Sequence, residues 1–85
     1  IRVPLLMRYP GVIPARHTAG GVVSNLDLFP TILELVGQEV PENLRIEGRS
    51  AAGLARGNER TDRDDTLFGQ YDMHHGQVAR MRMLR

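Results

Sequence analysis

The feature that most constrains the fold of this sequence is an almost continuous apolar run near its start, which stops abruptly. Val3-Pro4-Leu5-Leu6-Met7 lies between Arg2 and Arg8, and Tyr9-Pro10-Gly11 follows. Such a run is typical of a strand covered on both faces, as in a parallel sheet. Pro4 lies near its start, where a missing ladder donor is tolerated. The sequence therefore predicts a buried strand over Arg2–Arg8.

A capped helix is the second predicted element, and it follows a loop over Val12–Val23 that contains Pro14. Asp27 can cap the helix. Pro30 is tolerated in the first turn, because a proline there lacks only an amide that had no helical partner. Ser24, with Asp27 three residues later, is a second capping choice. Gly37 supplies the stop. The face predicted to be buried carries Leu28, Ile32, Leu35 and Val36, flanked by Phe29 and Leu33.

The rest of the chain predicts one short helical turn and two strands. Ser50–Ala55 is predicted to form the turn, which ends at Gly57, and the charged run that continues to Asp65 is predicted to be a surface connection. Thr66–Tyr71 and Gln77–Arg85 have strand composition, and they predict an antiparallel pair joined by Asp72–Gly76.

The last predicted strand alternates two kinds of side chain. Arg80 and Arg82 point to one side, and Met81 and Met83 point to the other, where we expect them to cover the core. A contact of the two arginines with an anion is the alternative interpretation of the polar side.

Composition excludes several classes of protein. With 85 residues the chain forms one domain at most. No apolar run approaches the roughly 18 residues that cross a bilayer, so we expect no membrane partner. All 11 basic residues are Arg, and 10 acidic residues balance them. The sequence lacks the basic stripe that is typical of a nucleic-acid-binding protein, so we expect no nucleic-acid partner. With no Cys there is no disulfide framework, and the cell compartment is not indicated.

His74 and His75 are the main candidates for substrate binding, because they lie between two predicted strands where a loop can reach a ligand. Adjacent side chains of an extended chain point apart, which argues against a shared metal ion. An ordinary turn is the alternative interpretation.

The other polar residues have simpler interpretations. His17 lies in an exposed loop, Asp64 and Asp65 belong to a solvated charged run, and Asp27 is a helix cap. Ser24 and Ser50 lack the Gly-x-Ser-x-Gly sequence of a nucleophile. Three arginines are expected to pair with carboxylates and so hold the predicted strand and the loops in place. They are Arg2 and Arg8, which flank the apolar run, and Arg49, which follows Gly48.

Four segments in this order resemble the sulfatase family. They are Arg2–Gly11, Val23–Leu33, Gly48–Ser50, and Phe68–Tyr71 followed by Arg80–Arg82. The resemblance implies an α/β fold, part of an alkaline-phosphatase-like sandwich with the start of a C-terminal antiparallel sheet. It also implies hydrolysis of sulfate esters with a calcium ion and a formylglycine made from Cys or Ser. In the family, the groups that react and bind metal precede the strand that begins here, so we assign no catalytic or metal residue.

The resemblance also implies how the chain is organised. Residues 1–57 are expected to end the main α/β domain, and residues 58–85 to form a connection and the first strands of the C-terminal subdomain. We interpret the chain as an excised piece or a truncated gene product, inactive alone, whose partner is the remainder of a sulfatase. A homodimer through exposed strand edges is also expected. The alternatives are part of a related phosphoesterase or phosphomutase, or a non-catalytic, self-associating module.

Overall fold

The computed structural model describes residues 3–58, 66–74 and 78–84. A 3₁₀ helix over Asn25–Asp27 leads directly into helix α1, Leu28–Leu35, and helix α2 spans Ala52–Ala55. Strand β1, Phe68–His74, pairs antiparallel with strand β2, Val78–Leu84. This part of the chain is therefore a small α/β fold with helices first and an antiparallel pair after them. The predicted division between residues 57 and 58 stays a prediction.

The helical segment begins with a capping box. The Ser24 hydroxyl accepts a hydrogen bond from the backbone N–H of Leu26 at 3.3 Å, and the Asp27 carboxylate accepts one from the backbone N–H of Ser24 at 2.8 Å. These reciprocal bonds satisfy donors that the first helical turn leaves without partners. Asp27 makes no side-chain capping bond to α1. Of the two predicted capping choices, the one that begins at Ser24 is confirmed.

Both helices end at a glycine in the left-handed conformation. Gly37 has φ 77°, and its N–H donates to Glu34 O at 3.1 Å while Gln38 N–H donates to Leu33 O at 2.8 Å. Gly57 has φ 87° and ends α2 in the same way. This pair of bonds satisfies carbonyls of the last turn, and glycine adopts the required φ without a steric cost. The predicted stops at Gly37 and Gly57 are confirmed.

The strand predicted over Arg2–Arg8 is not formed. Residues 3–9 belong to no strand, and their apolar side chains are exposed, with Leu6 94% accessible. A strand covered on both faces needs neighbouring strands and a layer on each side. The described residues supply neither, because their two strands pair with each other. Arg8 is exposed and Arg2 lies outside the described residues.

The buried face of α1 also differs from the predicted one. Pro30, Thr31 and Leu35 are buried, whereas Ile32 and Val36 are each 54% exposed. The buried side carries two polar residues, Asp27 just before α1 and Thr31 within it, whose hydrogen bonds hold the chain near residue 50. Hydrogen bonding, rather than apolar periodicity, therefore selects the face. The buried hydrophobic residues of the described chain are Leu35, Ala51 and Ala52, where α1 meets α2.

The antiparallel pair is confirmed, with shifted bounds. Its register runs from Phe68 opposite Leu84 to His74 opposite Val78. Residues 72–74, predicted to lie in the turn, therefore continue β1. The expectation that both methionines of β2 cover a core is wrong for Met81, which is 55% exposed because the described residues place no layer over it. The charged run and His75 lie outside the described residues.

Candidate functional site

The best-defined polar site is built on the buried carboxylate of Asp27. Its Oδ2 accepts a hydrogen bond from the backbone N–H of Ser24, and its Oδ1 accepts one from the backbone N–H of Arg49, both at 2.8 Å. A single side chain thus joins the start of the helical segment to a loop 22 residues later. A buried carboxylate needs such donors, because burial removes the water that would otherwise solvate it.

Thr31 makes a second, parallel connection one helical turn later. Its hydroxyl donates to the carbonyl oxygen of Asp27 and accepts from the backbone N–H of Ala51 at 2.8 Å. Thr31 is 1% exposed. A threonine hydroxyl commonly bonds a carbonyl of the preceding turn. Here the same hydroxyl also satisfies a buried amide of the loop.

Gly48 lets the loop approach the helix start. A Cβ added at Gly48 would lie 1.9 Å from the carbonyl oxygen of Leu26, which is far inside van der Waals contact. Only a residue without a side chain fits here. We call the set of residues that join this loop to the helix the clasp; they are Asp27, Thr31, Gly48, Arg49 and Ala51.

A small cleft of about 130 Å³ lies beside the clasp. Its lining includes Glu47, Arg49 and Thr66. Ser24 lines the cleft and its hydroxyl accepts from Leu26 N–H, while the hydroxyl of Ser50, next to Arg49 in the chain, accepts from Ala52 N–H at 3.1 Å. The arrangement fits a structural junction, because each hydroxyl supports a helix start.

Contacts at the other end of the helices complete the junction. Arg56 donates to the Glu34 carboxylate at 3.1 Å, which ties the end of α2 to α1. His17 Nε2 lies 3.1 Å from the carbonyl oxygen of Leu54. His17 is exposed, as predicted, and its contact is with the backbone of α2.

The remaining sequence candidates lie on or beyond the strands. His74 is the last residue of β1, opposite Val78, while His75 and the pair Asp64 and Asp65 lie outside the described residues. Arg80 and Arg82 are exposed on β2. Within the ranges that the structure describes, no three His, Cys, Asp or Glu side chains converge to hold a metal ion.

The sequence matches a family model over residues 1–85, and that model describes the C-terminal part of N-sulphoglucosamine sulphohydrolase. The chain belongs to this sulfatase family. It is 41% identical to human arylsulfatase D over 80 residues, which cover 94% of this chain and 13% of that protein. It is 37% identical to rat steryl-sulfatase over 79 residues, which cover 93% of this chain and 14% of that protein.

A third relative, mouse arylsulfatase G, is 36% identical over 74 residues, which cover 87% of this chain and 12% of that protein. The chain therefore spans about an eighth of the length of these sulfatases, and it corresponds to a C-terminal part. No solved structure matches it. None of the described helices is both long and apolar enough to cross a membrane.

The clasp was only partly predictable. The sequence predicts capping roles for Ser24 and Asp27, but it does not indicate the bond of Asp27 to Arg49 or that of Thr31 to Ala51. The predicted pairing of Arg49 with a carboxylate stays a prediction for its side chain, and its backbone amide donates to the Asp27 carboxylate. The available signal is Thr31, a polar residue four positions after Asp27 in a helix whose one other polar residue is Glu34.

Proposed function

We propose that the protein carrying this sulfatase chain hydrolyses sulfate esters, and that the chain supplies scaffold rather than reacting groups. Membership of the family supports the reaction class. The clasp supports the scaffold role, because its polar side chains are used in backbone hydrogen bonds that hold α1 against the loop at residues 48–51.

Calcium and formylglycine belong to the proposed reaction, but the described residues do not fit them. A formylglycine made from Cys has no precursor here, and both serine hydroxyls accept backbone hydrogen bonds near a helix start. A calcium site takes several carboxylate or carbonyl oxygens, and the described carboxylates do not converge. We therefore assign both groups to segments outside the described residues. There, calcium would supply positive charge for sulfate oxygens and formylglycine the attacking oxygen.

The exposed apolar surface supports a role as part of a larger fold. Large apolar side chains of the described residues are exposed, with Leu6 94% and Val3 79% accessible. Most of them lie in two stretches, the segment at residues 3–9 and the stripe Phe29, Ile32 and Val36 along α1 and its C-cap. We propose that the remainder of the sulfatase covers both.

We also propose that His74 or His75 contacts the substrate in the complete enzyme. His74 ends β1, where a chain leaves the sheet. Replacing each by Ala in the complete protein should lower kcat/KM for the sulfate ester, and Gln70→Ala, in the same strand, is the matched control. An unchanged kcat/KM in both histidine variants would remove the substrate role without affecting the scaffold proposal.

The reaction class is tested by comparing the complete protein with the 85-residue chain on an aryl sulfate and on the matching aryl phosphate. The complete protein should cleave the sulfate with the higher kcat/KM, and the 85-residue chain should not exceed the buffer rate. Preference for the phosphate would replace the sulfatase proposal by a phosphoesterase. Cleavage by the 85-residue chain itself would refute the scaffold role.

A further inference from the structure

We propose that Arg16 binds an anionic oxygen group of the substrate in the complete enzyme. This inference rests on the proposed function, because it takes that substrate to be a sulfate ester. Arg16 has φ 57°, and among the residues that the structure describes it alone has a positive φ without being a glycine. Its side chain is exposed. The chain therefore combines an exposed cation with an unfavourable backbone conformation at one position.

The left-handed conformation of Arg16 is unfavourable for any residue that has a Cβ. Steric contact disfavours it by roughly 5- to 30-fold against the right-handed conformation, whereas glycine adopts it freely. The other described residues with positive φ are glycines, namely Gly11, Gly21, Gly37 and Gly57. Glycine would thus fit the backbone at position 16 better than arginine does, so the side chain contributes something that glycine lacks.

Contacts on both sides of Arg16 hold its turn against the end of α2. The Nε2 atom of His17 lies 3.1 Å from the carbonyl oxygen of Leu54, and because a carbonyl only accepts, the ring donates this bond. A Cβ added at Gly57 would lie 3.5 Å from Cγ of Pro14 and 3.7 Å from Cε1 of His17, so both side chains lie beside that glycine. An anchored backbone places a side chain more precisely than a free loop does.

Stability does not explain an arginine at this position. An ion pair at an exposed site favours the folded state by at most about 5-fold. That gain does not exceed the cost of the left-handed conformation, roughly 5- to 30-fold. Strained residues that the surrounding structure holds in place cluster at binding and active sites, where the strain belongs to the function. Binding, rather than folding, is therefore the role that the conformation of Arg16 supports.

A guanidinium recognises oxyanions through its geometry and its charge. The planar, permanently charged group presents pairs of N–H donors that match two oxygens of a sulfate or a carboxylate. In a substrate of the proposed reaction, those oxygens belong either to the sulfate that is cleaved or to another anionic group of the same molecule. In both cases Arg16 binds the substrate and takes no part in the transfer, which agrees with a chain that supplies no reacting group.

The test replaces Arg16 in the complete protein by Ala, which keeps the strained conformation, and by Gly, which relaxes it. Arg45→Ala is the matched control, because Arg45 is also an exposed arginine but has no positive φ. KM should rise by roughly 2- to 12-fold in both Arg16 variants, with kcat close to the wild-type value, while Arg45→Ala matches wild type. Arg16→Gly should melt at or above the wild-type temperature, because glycine relieves the strain.

The choice of substrates and inhibitor identifies the anion. The substrates are an aryl sulfate and the same ester with an added carboxylate, and inorganic sulfate is the competitive inhibitor. If the cleaved sulfate is the partner of Arg16, KM rises for both esters and the inhibition constant of inorganic sulfate rises with it. If another anionic group is the partner, KM rises for the carboxylate-bearing ester alone and the inhibition constant is unchanged.

An unchanged KM for both esters in the Arg16 variants would overturn the inference, and so would an equal rise in Arg45→Ala. A lower melting temperature of both Arg16 variants with an unchanged KM would instead assign the arginine to an ion pair with a carboxylate of the protein. Failure of the proposed function is a separate result, in which the wild-type protein prefers the aryl phosphate. The same comparison, made with the phosphate ester and inorganic phosphate, would then decide the role of Arg16.

Discussion

The clasp and the segment at residues 3–9 differ in the kind of side chain that they bury or expose. In the clasp, Asp27 and Thr31 are buried and their side chains bond the backbone of a distant loop. In the N-terminal segment, apolar side chains such as Leu6 are exposed. The directional hydrogen bonds of the clasp are completed within the chain, whereas the main apolar surfaces of the described residues are exposed. The polar junction is thus self-contained, and the exposed apolar surfaces are the ones that we propose to be interfaces.

The most damaging change to the clasp is Gly48→Ala, because the new Cβ would meet the backbone of Leu26. Forced overlap with backbone costs roughly 3 kcal/mol of unfolding free energy. The matched control is Gly53→Ala in α2, where a Cβ meets nothing within 4 Å. That control should be neutral or stabilise by up to about 1 kcal/mol. Thermal melts followed by helical circular dichroism measure both, and equal melts would show that the close approach is not maintained.

A smaller loss is expected from Thr31→Val, which keeps the shape of the side chain and removes its hydroxyl. The Ala51 amide then loses its buried acceptor, at a cost of about 1–3 kcal/mol. Hydrogen exchange of that amide should accelerate by roughly 5- to 150-fold. Thr31→Ser retains the hydroxyl and should keep the Ala51 amide protected. Unchanged exchange in Thr31→Val would mean that this amide has another acceptor.

The smallest effect is expected at the ion pair of Arg56 and Glu34, whose side chains are partly exposed. Exposed pairs contribute about 0–1 kcal/mol and are screened by salt. Arg56→Ala should therefore lower the unfolding free energy by less than about 1 kcal/mol, and raising the salt concentration should shrink the difference from wild type. A larger, salt-independent loss would indicate that the side chain contributes mainly by packing.

Local signals in the sequence predicted the local structure well. Ser24 with Asp27 predicted the capping box, Gly37 predicted the stop of α1, and the alternation around Met81 predicted a strand. Each of these depends on residues a few positions apart, whose geometry is set by the backbone.

Long-range features were less predictable. The close approach of Gly48 to Leu26 joins positions 22 residues apart, and nothing in either local sequence indicates it. The apolar periodicity of α1 predicted a face that included Ile32, which is exposed because the hydrogen bonds of Thr31 select another side. The predicted strand over Arg2–Arg8 failed for a related reason, since strand formation depends on neighbours outside the segment.

The central claim is that the exposed apolar surface of this chain is an interface with the remainder of a sulfatase. It is tested most directly by Leu6→Asp, placed both in the 85-residue chain and in the complete protein, with Gln38→Asp as a control that adds the same charge at an exposed polar position. The unfolding free energy of the 85-residue chain should change by less than about 0.5 kcal/mol. The complete protein should lose several kcal/mol or fail to fold, because an unpaired carboxylate is then buried, while Gln38→Asp is tolerated in both. Equal tolerance of Leu6→Asp in the two proteins would show that this segment stays in water, and would contradict the account.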